Sequence, residues 1–311
     1  MALAVIVMVA SAVFAVDSGL VSYFVGDKGL VFPSANEWIA SPQTSLWVNL
    51  AVNALILALM IYINRGFNIP RTITLVYATA FAVMQTASPD VTAQFYSGSA
   101  LCLVVTGCMM LMFSAYSNPA SLRRVYLVFF LLSAAVATQY AYIFYIPVMA
   151  LACVQMRIMT LRTVLAALLG IITPWWIMIG LGIISFSDFH LPKIMSVFSA
   201  GSGKQTLILA ITAGLTVLLI ITAYIMSILK LMTYNARTRA CNGLMSLTTV
   251  VTIIAMAADF TNFQTFLPLL NLCAAFQLSH MLVIRNSPRS WIFISSIVII
   301  YYTLYIWRIF V

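Results

Sequence analysis

At 311 residues, 64% hydrophobic and 7% charged, with a mean hydropathy of +1.09, the chain is excluded from the ordinary soluble globular class. It reads as an integral membrane protein. Fifteen basic residues against six acidic ones give a net charge of +9, but they stand in ones and twos between apolar runs, which fits anchoring at one membrane face and excludes a nucleic-acid partner.

A membrane-crossing helix needs ~20 largely apolar residues, with roughly 17–25 the usual range. The first run, residues 2–16, is short. It reads as a span, as a span whose start lies upstream, or as a signal peptide: Ala12-Val13-Phe14-Ala15 resembles a cleavage site, although no charged segment precedes it. Residues 17–45 then form the longest outer connection. Pro33, Ser34 and Glu37 predict a short interfacial helix with a capping box, anchored by Trp38 and Ile39.

The second span covers 46–63, with Asn49 and Asn53 on one face and expected to bond to a neighbouring helix. The third, 72–87, closes at Ser88-Pro89-Asp90, and the fourth covers 95–116. The stretch 125–156 is too long for one span and carries Gln139 and Tyr140 near its middle, which predicts two short helices in a tight hairpin. Spans at 163–186 and 206–229 flank a polar segment, 187–205, that holds Asp188, His190, Lys193 and Lys204. Runs at 244–258, 263–283 and 291–306 complete eleven spans. Asp259 reads as a capping residue and His280 as interfacial.

The expected fold is therefore an all-α, single-domain bundle of about eleven transmembrane helices. Alternating the ends puts Arg65, Arg71, Arg123, Arg124, Arg157, Arg162, Lys230, Arg237, Arg239, Arg285 and Arg289 on one side. Lys28, Lys193, Lys204 and Arg308 fall on the other, with all six acids. The positive-inside rule makes the first side cytoplasmic, so the N-terminus is cytoplasmic, the C-terminus periplasmic and the location the inner membrane.

Five cysteines lie in or beside apolar runs without metal-ligand spacing, so they read as packing residues. No cofactor or metal is expected. The absence of acids within the spans argues against ion-coupled transport. Candidate chemistry sits at the outer boundary. Asp17, directly after the first run, reads as a general base or as a solvated helix end; Asp90 reads as its companion or as a cap for the fourth helix. Lys28, His190, Lys193 and Lys204 make a candidate surface for an anionic ligand.

Arg123-Arg124, the hairpin ending Tyr145-Ile146-Pro147, the Arg157 to Arg162 connection and the run Leu168-Leu169-Gly170-Ile171-Ile172-Thr173-Pro174-Trp175-Trp176 resemble an uncharacterised family of polytopic inner-membrane proteins of Bacteroidota. More remotely, the acids in the first two outer loops are similar in placement to those of the GT-C superfamily of membrane glycosyltransferases. That resemblance implies a polyprenyl-phosphate-linked sugar as donor, Asp17 as general base toward an acceptor hydroxyl, and Asp90 assisting. Lys28, Lys193 or Lys204 would neutralise the lipid phosphate. The first outer loop is short for that superfamily, and no soluble carboxy-terminal domain follows the last span. Membrane lipids are the expected partners. A non-catalytic subunit of a membrane complex and a lipid or solute transporter stay open as alternatives.

Overall fold

A computed structural model describes residues 1–19, 30–67, 75–118, 120–185, 189, 204–231, 233–260, 262–285 and 289–310. Among these residues the fold is all α, without strands. In chain order the helices are α1 (Ala2–Asp17), α2 (Pro42–Phe67), α3 (Val76–Thr86), α4 (Pro89–Thr92), α5 (Ser97–Ser114), α6 (Leu122–Val136), α7 (Tyr145–Gln155), α8 (Leu161–Gly180), α9 (Lys204–Leu231), α10 (Ala236–Ala258), α11 (Phe263–Arg285) and α12 (Arg289–Phe310). Short 3₁₀ turns occupy Ala35–Glu37 and Tyr140–Phe144.

Each of the eleven expected spans is matched by one helix, the 125–156 stretch dividing into α6 and α7 around the second 3₁₀ turn. Lipid leaves no other option, because backbone groups in hydrocarbon must be satisfied within their own segment. Hydroxyl side chains inside the helices follow the same rule: Thr106 donates to the Cys102 carbonyl at 2.6 Å and Thr248 to the Leu244 carbonyl at 2.9 Å.

Seven helices, α2, α5, α8, α9, α10, α11 and α12, are long and apolar enough to cross a membrane, which marks the chain as a membrane protein. Four others, α1, α3, α6 and α7, fall short of the expected span length. Helices α3 and α7 have 11 residues each, α6 has 15 and α1 has 16. At ~1.5 Å per residue, eleven residues reach only about 16 Å, roughly half of a ~30 Å hydrocarbon core. The C-terminal ends of α3 and α6 meet protein instead of lipid. The non-helical stretches after α3 and α6 carry the buried residues Ala87, Ser88, Gln139 and Tyr140, and irregular backbone at depth is tolerated where protein covers it.

The core is built around α11. Its apolar stretch is 94% buried, against 17% for α8 and 22% for α12, so α11 is the central post and the other two are peripheral. It contacts α3, α5, α9 and α10. Phe276 of α11 stacks on Tyr77 of α3 with ring centroids 5.1 Å apart. Helix α8 rests chiefly on α6, where Gly170 lets the two backbones approach: a Cβ there would lie 2.7 Å from the Tyr126 carbonyl oxygen and 2.9 Å from the Phe129 Cβ. Ser133 ties the pair, donating to the Ile171 carbonyl at 2.7 Å while its Oγ accepts from Trp175 Nε1 at 2.9 Å. All five cysteines are buried and unpaired, as packing residues should be.

Contacts group several of the described charges at two ends. At one end Arg237 lies 5.4 Å over the Phe67 ring, Phe67 meets Phe113, and Arg124 donates to the Ser114 carbonyl. At the other end the 30–41 segment, the start of α2, α4, the start of α5, the Tyr140–Phe144 turn and the α10–α11 junction are joined by the hydrogen bonds described below. Asp17, Glu37 and Asp259 belong to this acidic end.

Amides in the bundle interior bond across helices, as expected for Asn49 and Asn53. Asn49 Nδ2 donates to the Thr92 carbonyl at 2.7 Å. Asn53 Oδ1 accepts from Gln85 at 3.4 Å, and Gln85 Oε1 accepts from Asn271 at 3.3 Å, so α2, α3 and α11 share one amide ladder. His280 is 3% exposed, packed within the protein because α11 is covered on nearly every side.

Candidate functional site

The acidic end is assembled from segments distant in sequence. Pro33 and Ser34 do open a turn, but it is a single 3₁₀ turn, and Ser34 makes no side-chain cap bond. The predicted capping box is therefore absent, since three residues of 3₁₀ helix do not bring Ser34 and Glu37 into reciprocal reach. What fixes the segment is Trp38, whose Nε1 donates to the Pro33 carbonyl at 2.9 Å and whose ring sits 6.1 Å from Phe95. Val31 and Phe32 both donate backbone N–H groups to the Ala137 carbonyl, at 3.1 and 3.0 Å.

Asn36 carries the connection inward. Its Oδ1 accepts from the Ser97 N–H at 3.0 Å, and Ser97 Oγ lies 3.3 Å from Thr265 Oγ1. The Thr265 N–H donates to the Asn262 carbonyl at 2.9 Å. Asn262 Nδ2 in turn donates to Tyr140 Oη at 2.9 Å and to both Asp259 carboxyl oxygens at 3.2 and 3.3 Å. Tyr140 completes the cluster by donating its hydroxyl to Asp259 Oδ2. A continuous polar chain thus crosses the end of the bundle from Asn36 to Asp259.

Asp259 is the residue that sequence reasoning undervalued. It follows α10 directly and is wholly buried. It is the C-cap residue of α10, and its carboxyl group is engaged by Tyr140, which arrives from the α6–α7 hairpin, and by Asn262. The one available signal was Tyr140 beside Gln139 at the tip of that hairpin, a polar pair in an apolar run.

Asp17 is exposed at the last residue of α1. Asp90 is the second residue of the one-turn helix α4, with Pro89 at its first position. It therefore does not cap the next long helix, which starts at Ser97. Helix α4 packs on α1, so the segments bearing Asp17 and Asp90 are brought together. Beside them is a cleft of about 190 Å³ lined by Val16, Asn36, Glu37, Ser45, Ala93 and Gln94 among others, with Glu37 exposed on it. Its far wall is held by Ser45 Oγ, which accepts from the Phe95 N–H at 2.8 Å.

Lys28, His190, Lys193 and the side chains of Asp90 and Lys204 lie outside the described residues; the backbone of Lys204 opens α9. Among the described residues no three His, Cys, Asp or Glu side chains converge as metal ligands would. Chemically, the end offers an accessible carboxylate at Asp17, a second at Glu37, and a buried one at Asp259 whose partners suit it to holding geometry. Comparison of the chain with protein families, curated proteins and solved structures gives no match.

Proposed function

We propose that the chain is an inner-membrane protein of the cell envelope that transfers a sugar from a polyprenyl-phosphate carrier at its acidic, periplasmic end, as GT-C glycosyltransferases do. The observation that supports this reading is the packing of α4 on α1, beside a cleft lined by Val16, next to Asp17, and by Ala93, three residues after Asp90. Asp17 takes the proton of the acceptor hydroxyl, a role that needs an approach of ~2.6–3.2 Å. Asp90 assists, and Lys28, Lys193 or Lys204 balances the carrier phosphate. The Asn36-to-Asp259 chain of hydrogen bonds fixes the rim on which these groups sit. The orientation rests on the positive-inside rule applied to the basic end.

A second reading, a non-catalytic subunit of a membrane complex, draws on α8. That helix rests chiefly on α6 and leaves Trp176 76% exposed, a face that a partner helix could cover.

Complementation of a deletion strain, with quantitation of lipid-linked sugars, tests the transferase reading. Asp17→Asn should lose about 10²- to 10⁴-fold in transfer, the usual contribution of a general base, and should accumulate the lipid-linked donor. Glu37→Gln should retain function. Full complementation by Asp17→Asn overturns the transferase and leaves the subunit reading.

A further inference from the structure

At the basic end, opposite the candidate site, α9 and α10 both lean on α11 and touch each other little. A groove of about 520 Å³ runs between them, with Gln277 of α11 and Gln155 of α7 among its lining residues. Its walls are apolar and open sideways: Ile221, Ile225 and Val250 line it and are exposed on the outer surface of the bundle. A side-opening apolar groove in a membrane protein admits molecules from the bilayer in preference to solutes from water.

One end of the groove is polar. Arg239 is the charged side chain among its described lining residues, and it is exposed. Next to it Asn242 is only 6% exposed, yet neither its Oδ1 nor its Nδ2 has a hydrogen-bond partner. Gln277, 4% exposed, donates to Ser246 Oγ at 3.5 Å while its Oε1 is unpartnered. Buried amides without partners are costly and uncommon, so several lining one groove point to a ligand that supplies the missing partners. The described acids lie at the other end of the bundle, which leaves Arg239 as the local charge and selects an anionic group.

We infer that this groove holds a membrane phospholipid with an anionic headgroup, its headgroup on Arg239 and the Asn242 amide and an acyl chain along Ile221, Ile225, Val250 and Ile253. The dimensions agree. From Arg239 to Ile253 α10 rises about 21 Å at ~1.5 Å per residue, enough to pass through the ~15 Å hydrocarbon of one leaflet and reach the headgroup layer. In the orientation proposed above, the groove opens into the cytoplasmic leaflet, where anionic lipids concentrate. The site stands on its own observations and does not depend on the transferase reading.

The test uses the full chain, extracted in mild detergent from membranes containing equal phosphatidylglycerol and phosphatidylcholine, with retained lipid measured by mass spectrometry. Wild type should retain phosphatidylglycerol over phosphatidylcholine by about tenfold, the order expected when the choline ammonium of one lipid offsets the attraction of its phosphate to Arg239. Arg239→Gln and Asn242→Leu should each remove the preference. Val250→Trp, which fills the groove from its exposed lip without disturbing the core, should lower retention of both lipids. Arg123→Gln, an exposed basic position at the same end but off the groove, should leave the preference intact. Equal retention of the two lipids by wild type overturns the inference. So does an undiminished preference in Arg239→Gln, or an equal loss in Arg123→Gln. Complete displacement of phosphatidylglycerol by inorganic phosphate would also overturn it, marking a simple anion site.

Discussion

Tyr140→Phe isolates the bond that organises the acidic end. The ring stays, so packing is conserved and no cavity opens; only the hydroxyl is lost. That hydroxyl donates to buried Asp259 and accepts from Asn262 Nδ2 at 2.9 Å, so its removal takes a donor from the carboxylate and an acceptor from the amide. Leaving a buried polar group without its partner costs about 1–3 kcal/mol, and the expected loss of stability is about 2 kcal/mol. Asp259→Asn should cost a similar amount, because its new NH₂ group faces the donating Asn262 amide or the Tyr140 hydroxyl. The double variant should fall short of the sum by ~1 kcal/mol or more, since both substitutions remove the same contact. Unfolding of the purified protein by a graded rise of SDS in mixed micelles, followed by tryptophan fluorescence, measures all three. A Tyr140→Phe effect within ~0.5 kcal/mol of zero, or strict additivity, would refute the claim that this pair holds the end together.

Gly170→Leu should detach α8 from α6 or destabilise the protein by at least ~1–3 kcal/mol, because an added Cβ would meet the Tyr126 carbonyl, the Phe129 Cβ and the Phe130 nitrogen, none of which can step aside without moving the α6 backbone; Gly107→Ala, with nothing within 4 Å, should be neutral or stabilising in the same SDS titration. Asn271→Leu should cost only about 0.6 kcal/mol, the average for an interhelical polar bond in a membrane bundle, since Asn271 gives the ladder one bond, to Gln85 at 3.3 Å, while its Oδ1 is already unpartnered. A loss above ~2 kcal/mol by the SDS titration would mean the amide ladder carries more of the bundle than its geometry implies.

Helix number was legible because lipid converts each apolar run into a helix. Helix ends were less so. Helix α10 starts at Ala236 and not near residue 244, since Arg237, Arg239 and Asn242 depress hydropathy without breaking the helix. Helix α4 escaped notice because one turn opened by a proline carries no periodic signal. Asp259 shows the deeper limit. Read along the chain, an acid after an apolar run is a boundary, but its burial depends on Tyr140, 119 residues away. The acidic end could be located from charge alone, whereas which acid is buried and which faces the cleft depends on three-dimensional contacts.

The span of those contacts also bears on how the protein is made. Ser97 waits for Thr265 across 168 residues, and Tyr140 for Asp259 across 119. Helices enter the membrane in order of synthesis, so α5 and the α6–α7 hairpin are in place long before their partners leave the ribosome. Until α11 inserts, the bundle lacks its central post and the Ser97 hydroxyl lacks Thr265. The acidic end therefore closes late, and a chain halted before residue 259 would present both unmatched polar groups as a local mark of incompleteness to membrane quality control.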